Sequence, residues 1–258
     1  MTPNRGAAKA SSITAAAGLL ACGAMAGPLF TVVWVVEGAT RAEYSPLRHP
    51  VSSLELGDFG WTQVANFIVA GLLTLAFAIG LWRALRPLGG STWGPLLVGA
   101  HAIGLLGAGI FVTDPVSGYP PGTPDRLASY GSVHAALHDL FSTGTFVGLP
   151  AACLVFAWRF AAWKERGWAV YSAATGVVLV VAFVLTSMAF AQTEGLVAVG
   201  GLLQRITITA GWSWLTLLAI TAESQLRPCR PSEPCQHRIN RRARTALTSS
   251  SRGTSLSG

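Results

Sequence analysis

Six apolar runs, each about 20 residues long and almost free of charge, account for most of a chain of 258 residues. Wound as α-helix at 1.5 Å per residue, such a run matches the ~30 Å hydrocarbon core of a bilayer. The runs lie at residues 13–36, 61–82, 93–112, 140–160, 168–191 and 196–220. Between them sit short segments that gather the charge, proline and glycine. Only 11% of residues are charged and 51% are hydrophobic, against roughly 25% charged in soluble domains. A water-soluble fold has no way to cover that much apolar surface, so the bilayer is the expected solvent and lipid the expected partner. The reading is an all-α membrane protein of six transmembrane helices, with residues 1–12 as a cytoplasmic N-terminus, 13–220 as the membrane domain and 221–258 as a disordered basic cytoplasmic tail.

The net charge of +7 invites a nucleic-acid reading, which its distribution removes. Seven of the 18 Lys and Arg residues follow residue 225, and others flank the apolar runs, where orientation signals sit; no basic face on a folded domain is visible. Placing both termini in the cytoplasm puts Arg5, Lys9, Arg83, Arg86, Arg159, Lys164, Arg166 and the seven tail arginines inside. The outside loops then hold Arg41, Arg48 and Arg126 with most of the acidic residues, as the positive-inside rule requires for a multi-pass protein of the cell (plasma) membrane. The first run carries Ala24-Met25-Ala26, a possible signal-cleavage site, and Leu19-Leu20-Ala21-Cys22, which resembles a lipoprotein box. Its ~24 residues exceed a signal core of about 7–15, so the expectation is an uncleaved first helix kinked at Pro28. The four cysteines imply no disulfide framework. Cys229-x5-Cys235-Gln-His237 matches no common zinc spacing.

Chemistry-bearing residues concentrate between His101 and Asp139. His134 and His138 are four apart, a spacing that sets both imidazoles on one helix face and suits a shared metal. Asp114 ends the third run at the same depth, a candidate carboxylate ligand or general base. With His134 and His138 it is a candidate zinc-binding set, with Asp139 and Asp114 as candidate catalytic groups. From His138 to Arg159 is ~31 Å of helix, which places His138 at the outer boundary. Arg205, about nine residues into the sixth run, is too deep for a loop charge. It is expected either to bridge Asp139, Asp114 or Glu194, or to bind an anionic headgroup together with Glu194. His101, Gln63 and Asn66 read as interhelical hydrogen-bonding groups.

Several stretches carry unusual polar residues at fixed places among apolar ones: SSLELGDFGWTQVANFIVAGLL, GAGIFVTDP, HAALHDLFS followed by LPAACLVFAWRF, and GLLQRI with Trp212. On these the chain resembles the bacterial membrane family known as domain-of-unknown-function family 998, over about residues 45–215. The resemblance implies a six-helix integral membrane protein and no activity. Three readings follow: a multi-pass protein of unassigned role with an outward-facing polar pocket between helices three, four and six; a membrane-embedded metal-dependent hydrolase acting on a lipid-like substrate; or a small transporter or channel.

Overall fold

A backbone surrounded by hydrocarbon must satisfy its own polar groups, and helices do this within one segment. The computed structural model, which describes residues 5–86, 92–125 and 131–226, contains six long helices and no strands among those residues. They are α1 (Arg5–Thr40), α2 (Gly60–Leu85), α3 (Trp93–Ile110), α4 (Val133–Ala162), α5 (Arg166–Phe190) and α6 (Gly200–Leu226). Five of them are long and apolar enough to cross a membrane: Ala15–Thr40 of α1, and α2 to α5. The protein is therefore a multi-pass membrane protein. α6 is not among the five, because Gln204, Arg205, Thr207, Thr209, Ser213 and Thr216 dilute its apolar character.

Sequential helices pack side by side, α1 on α2, α2 on α3, α3 on α4 and α4 on α5. α6 closes the ring. Its Trp212 meets Phe30 of α1 with ring centroids 5.3 Å apart. Its fully buried Trp214 stacks edge-on against Phe156 of α4 and donates from Nε1 to Ser172 Oγ of α5 at 3.0 Å. Gln204, Arg205 and Thr207 are thus wrapped by protein, which keeps the most polar turns of this helix of lower hydropathy away from lipid.

Several boundaries differ from the sequence reading for local reasons. α1 begins at Arg5 rather than near residue 13, and Pro28 lies inside it. α6 begins at Gly200 rather than 196, because the turn after α5 continues through a one-turn 3-10 helix, Val197–Val199. It also runs to Leu226, so the start of the expected disordered tail is helical. Residues 227–258, including Cys229, Cys235 and His237, lie outside the described residues, as does Arg126. α4 begins at Val133, seven residues ahead of the fourth apolar run. Ser132 caps it, its hydroxyl accepting from the Ala135 N–H at 3.0 Å.

The segments 41–59, 111–125 and 191–199 converge at one end of the ring, here the long-loop end. Arg48 donates to the Ser117 carbonyl at 2.9 Å and pairs with Asp125 at 2.7 Å. Gln192 donates to Ser117 Oγ at 3.2 Å. The N–H groups of Gly201 and Leu202 bond the carbonyls of Arg48 and Leu47 at 3.2 and 3.0 Å. The first loop is thereby tied to the second and to the start of α6, and the third to the second.

Close packing of α3 on α4 depends on Gly104. A β-carbon there would lie 2.1 Å from Thr145 Oγ1 and 2.7 Å from the Phe141 carbonyl oxygen. Gly104→Ala must push the helices apart and should destabilise by about 1–3 kcal/mol, the usual range for overpacking. Gly144→Ala faces open space and should be neutral or slightly stabilising, through better helix propensity. Thermal melts of the two variants in one detergent check the contrast.

Candidate functional site

The loop after α1 folds inward instead of out into water. Its 3-10 turn, Val51–Glu55, buries Val51, Ser53, Leu54 and Glu55. The reason lies in α6. Gln204 Oε1 accepts from the Val51 N–H at 2.7 Å. Arg205 donates from Nη1 to the carbonyls of His49 and Gly201 at 3.0 and 2.9 Å, and from Nη2 to the Tyr44 hydroxyl. Its guanidinium also lies over the rings of Trp34 and Tyr44. The Tyr44 hydroxyl donates onward to the Pro50 carbonyl at 2.9 Å, and burial pushes its pKa up to about 12, so it remains a donor. The expected bridge from Arg205 to Asp139, Asp114 or Glu194 is not made. With α6 starting at Gly200, Arg205 sits only five residues in, level with the first loop, and main-chain carbonyls surround it. Glu194 is exposed in the turn before α6.

This inward loop brings in a residue whose position the sequence did not disclose. The Glu55 side chain is 0% exposed, and its Oε2 accepts from the Thr113 N–H at 3.3 Å and lies 3.5 Å from His138 Nδ1. Its Oε1 is sealed without a partner. Burial lifts the Glu55 pKa to about 8, outweighing the opposing bond from Thr113, so near neutral pH it is a neutral acid. The only available signal was its place in SSLEL, an apolar-flanked acid within the first polar segment. His49, beside the same loop, has its pKa lowered by burial, and its Nδ1 accepts from the Ser45 N–H at 2.9 Å.

The helical pair His134 and His138 is divided by Phe111. His138 is buried, and its Nδ1 contacts the Phe111 carbonyl at 2.7 Å and the Ala108 carbonyl at 3.1 Å. Carbonyls only accept, so Nδ1 carries the hydrogen and Nε2 the lone pair. His134 is exposed and meets the Phe111 ring edge-on at 5.8 Å. Asp114 Oδ1 accepts from the Ser132 hydroxyl at 2.9 Å, while its Oδ2 is sealed without a partner. Among the described residues, no group of three or more His, Cys, Asp or Glu side chains is placed to hold one metal ion. Asp114, His134 and His138, the candidate zinc set, do not form such a group here: Phe111 takes one imidazole on its carbonyl and the other on its ring.

What the structure does bring together is a wall. His138, Asp114, Asp139, Ser142, Thr113 and Ser52 line the upper part of a cavity of about 920 Å³. The cavity continues between the helices past Phe30, Leu105, Leu149 and Leu179 to His101 and Trp212. His101 is nine residues below the end of α3, ~14 Å along its axis. Its Nδ1 contacts the Thr145 carbonyl at 3.1 Å and its ring packs edge-on against Trp212. His101 is thus an interhelical hydrogen-bonding group, as expected, and also a cavity wall, which was not. Asn66 donates to the Phe30 carbonyl of α1 at 3.2 Å, between helices, and to Gln63 Oε1 at 3.1 Å within α2.

Against known proteins, the family model described as protein of unknown function (DUF998) matches residues 24–221. The chain belongs to this family. The match runs from within α1 to within α6 and includes every residue of the cavity wall. No curated protein and no solved structure matches the chain.

The buried Glu55 has a thermodynamic signature. Its folded pKa of about 8 lies above the ordinary carboxyl value of 4.5. Between those values the unfolded chain is ionised while the folded one holds its proton. Stability therefore falls as pH rises through that window, by up to about 1.4 kcal/mol per pH unit, and levels off above it. Glu55→Gln removes the titration. The variant should melt above the wild type at pH 8, with the gap closing toward pH 5, in parallel thermal melts.

Proposed function

We propose that this member of the DUF998 family is a six-helix protein of the plasma membrane, with both termini cytoplasmic, whose outward-facing cavity receives an amphiphilic, lipid-like molecule. The positive-inside distribution of Lys and Arg supports the orientation, and the antiparallel ring that α6 completes supports the sixth crossing. With that orientation the long-loop end, with Asp114, Asp139, Glu55 and His138, faces outward.

The observation that carries the binding role is the polarity gradient of the cavity. Hydroxyls and carboxylates of Ser52, Thr113, Asp114, Asp139 and Ser142 stand at one end; Phe30, Leu105, Leu149, Leu179 and Trp212 stand toward the other. Ligand pockets run from about 300 to 1,000 Å³, mostly apolar with a few convergent polar groups. A cavity of about 920 Å³ is at the large end of that range, a size suited to a molecule with a chain as well as a head. A purely structural bundle gains nothing from such a void, since unfilled volume in a core destabilises.

The test is occupancy. Ala135 is buried, lies near the start of α4 and lines the cavity. Native mass spectrometry of the protein released from nanodiscs should show a retained amphiphile. Ala135→Trp, which puts an indole in the upper cavity, should reduce that occupancy at least tenfold while the circular dichroism spectrum stays helical. A folded wild type that carries no amphiphile, even after incubation with membrane lipid extract, would refute the reading. A reporter fused after residue 226 should be active only on the cytoplasmic side; activity outside would overturn the orientation.

A further inference from the structure

The cavity is roofed at the long-loop end and open at the side. Its roof includes the first loop, whose Pro50, Val51 and Ser52 line it. That loop is fastened in three places. Gln204 accepts from the Val51 N–H, Arg205 donates to the His49 carbonyl, and Arg48 pairs with Asp125 of the second loop. The side wall is different. The exposed residues of the lining are Gly131, Asp139, Thr143, Ser187 and Ala191. Each belongs to α4 or its approach, or to α5 or its exit. A residue that lines a cavity and also meets the outside marks an opening, so the opening lies along the seam between α4 and α5.

The seams on either side are shut at the same end. A β-carbon on Gly107 of α3 would lie 2.0 Å from the Phe141 ring of α4, and one on Gly200 of α6 would lie 2.9 Å from Ala189 Cβ of α5. On the α4–α5 seam the comparable contact comes lower, where a β-carbon on Gly176 would lie 3.3 Å from Cys153 Cβ. Above it stand Phe146 and Phe183, stacked with ring centroids 5.0 Å apart and planes at 15°. Both line the cavity.

This opening sits at membrane depth. Measured along the helices from the charges at the opposite end, Phe146 is ~20 Å from Arg159 and Phe183 ~26 Å from Arg166, within a hydrocarbon core of ~30 Å. The outer surfaces around it are apolar: Leu140 and Val147 of α4 and Val184 and Met188 of α5 are exposed. Ser187 suits such a rim, because its hydroxyl donates to the Phe183 carbonyl of its own helix at 2.9 Å.

We infer that the amphiphile comes from the bilayer and not from water: it is a molecule dissolved in the leaflet at the long-loop end, and it enters between α4 and α5 above the Phe146–Phe183 stack. This rests on the amphiphile-binding reading and adds the source of the ligand. The side route keeps the chain in apolar surroundings throughout. A route through the roof exposes its methylenes to water and requires Arg205 and Gln204 to release the first loop.

The test times the filling of the cavity. The full-length protein in nanodiscs receives a lysophosphatidylcholine whose long chain carries a diazirine, delivered from donor nanodiscs, and samples are irradiated at successive times. Adducts on the exposed Leu154 report arrival in the bilayer; adducts on Leu105 and Leu149, buried in the cavity wall, report entry. Entry should follow arrival in the wild type. Thr143→Trp combined with Ser187→Trp, both at exposed rim positions, should slow entry at least tenfold and leave arrival unchanged. Thr143→Leu with Ser187→Leu serves if the indoles prevent folding, with a slowing of at least threefold. A short-chain, water-soluble diazirine amphiphile is run in parallel. Unchanged entry in the folded blocked variant, or entry by the soluble probe alone, would overturn the bilayer route and leave the amphiphile reading standing. Interior adducts from neither probe overturn both.

Discussion

The Arg205 guanidinium holds the long-loop end together. A charge buried in a membrane protein is stable only if its donors are met, and Arg205 meets them mainly with main-chain carbonyls. That choice fixes the first loop. Once the His49 carbonyl and the Tyr44 hydroxyl are gathered on one guanidinium, the Gly201 and Leu202 N–H groups can pair with the same loop and Gln204 can accept from Val51. Gly201 is what allows so close an approach. A β-carbon there would lie 2.5 and 2.6 Å from the carbonyl oxygens of His49 and Pro46. The loop then acts as a lid of fixed shape, carrying Glu55 inward to Thr113 and His138.

The helices were legible because the bilayer imposes a simple rule, and five of the six runs satisfy it by composition alone. α6 is the instructive exception. Its Gln204 and Arg205 are matched by the first loop and by Trp34 of α1, a pairing visible only once the ring is closed. The same difficulty hid the site. His134 and His138 share a helix face, as the spacing requires, yet Phe111 comes from another segment and receives one on its ring and the other on its carbonyl. Glu55 looked like one loop acid among several; the 3-10 turn that buries it forms only because Gln204, some 150 residues later, accepts from its first residue. Arg205 was legible as a group needing partners. Which partners it takes depended on where α6 begins, and that was set by a turn of local geometry.

Glu55 and His138 show how a charge is kept out of the interior. His138 gives its Nδ1 hydrogen to a carbonyl, and Glu55, with burial raising its pKa to about 8, stays a neutral acid near neutral pH. Neither requires a counter-ion. The pair therefore braces α4 against the first loop and the end of α3 without adding charge to the cavity wall.

This separation gives the cavity a chemical direction. Arginines at the long-loop end serve the framework, aromatic and aliphatic residues line the passage between helices, and the carboxylates stand where the loops meet. Arg205 closes the first loop instead of reaching Asp114 or Asp139, so the loop end of the cavity keeps its polar groups and the passage between the helices its apolar ones; that gradient is what an amphiphile entering at the loop end would meet.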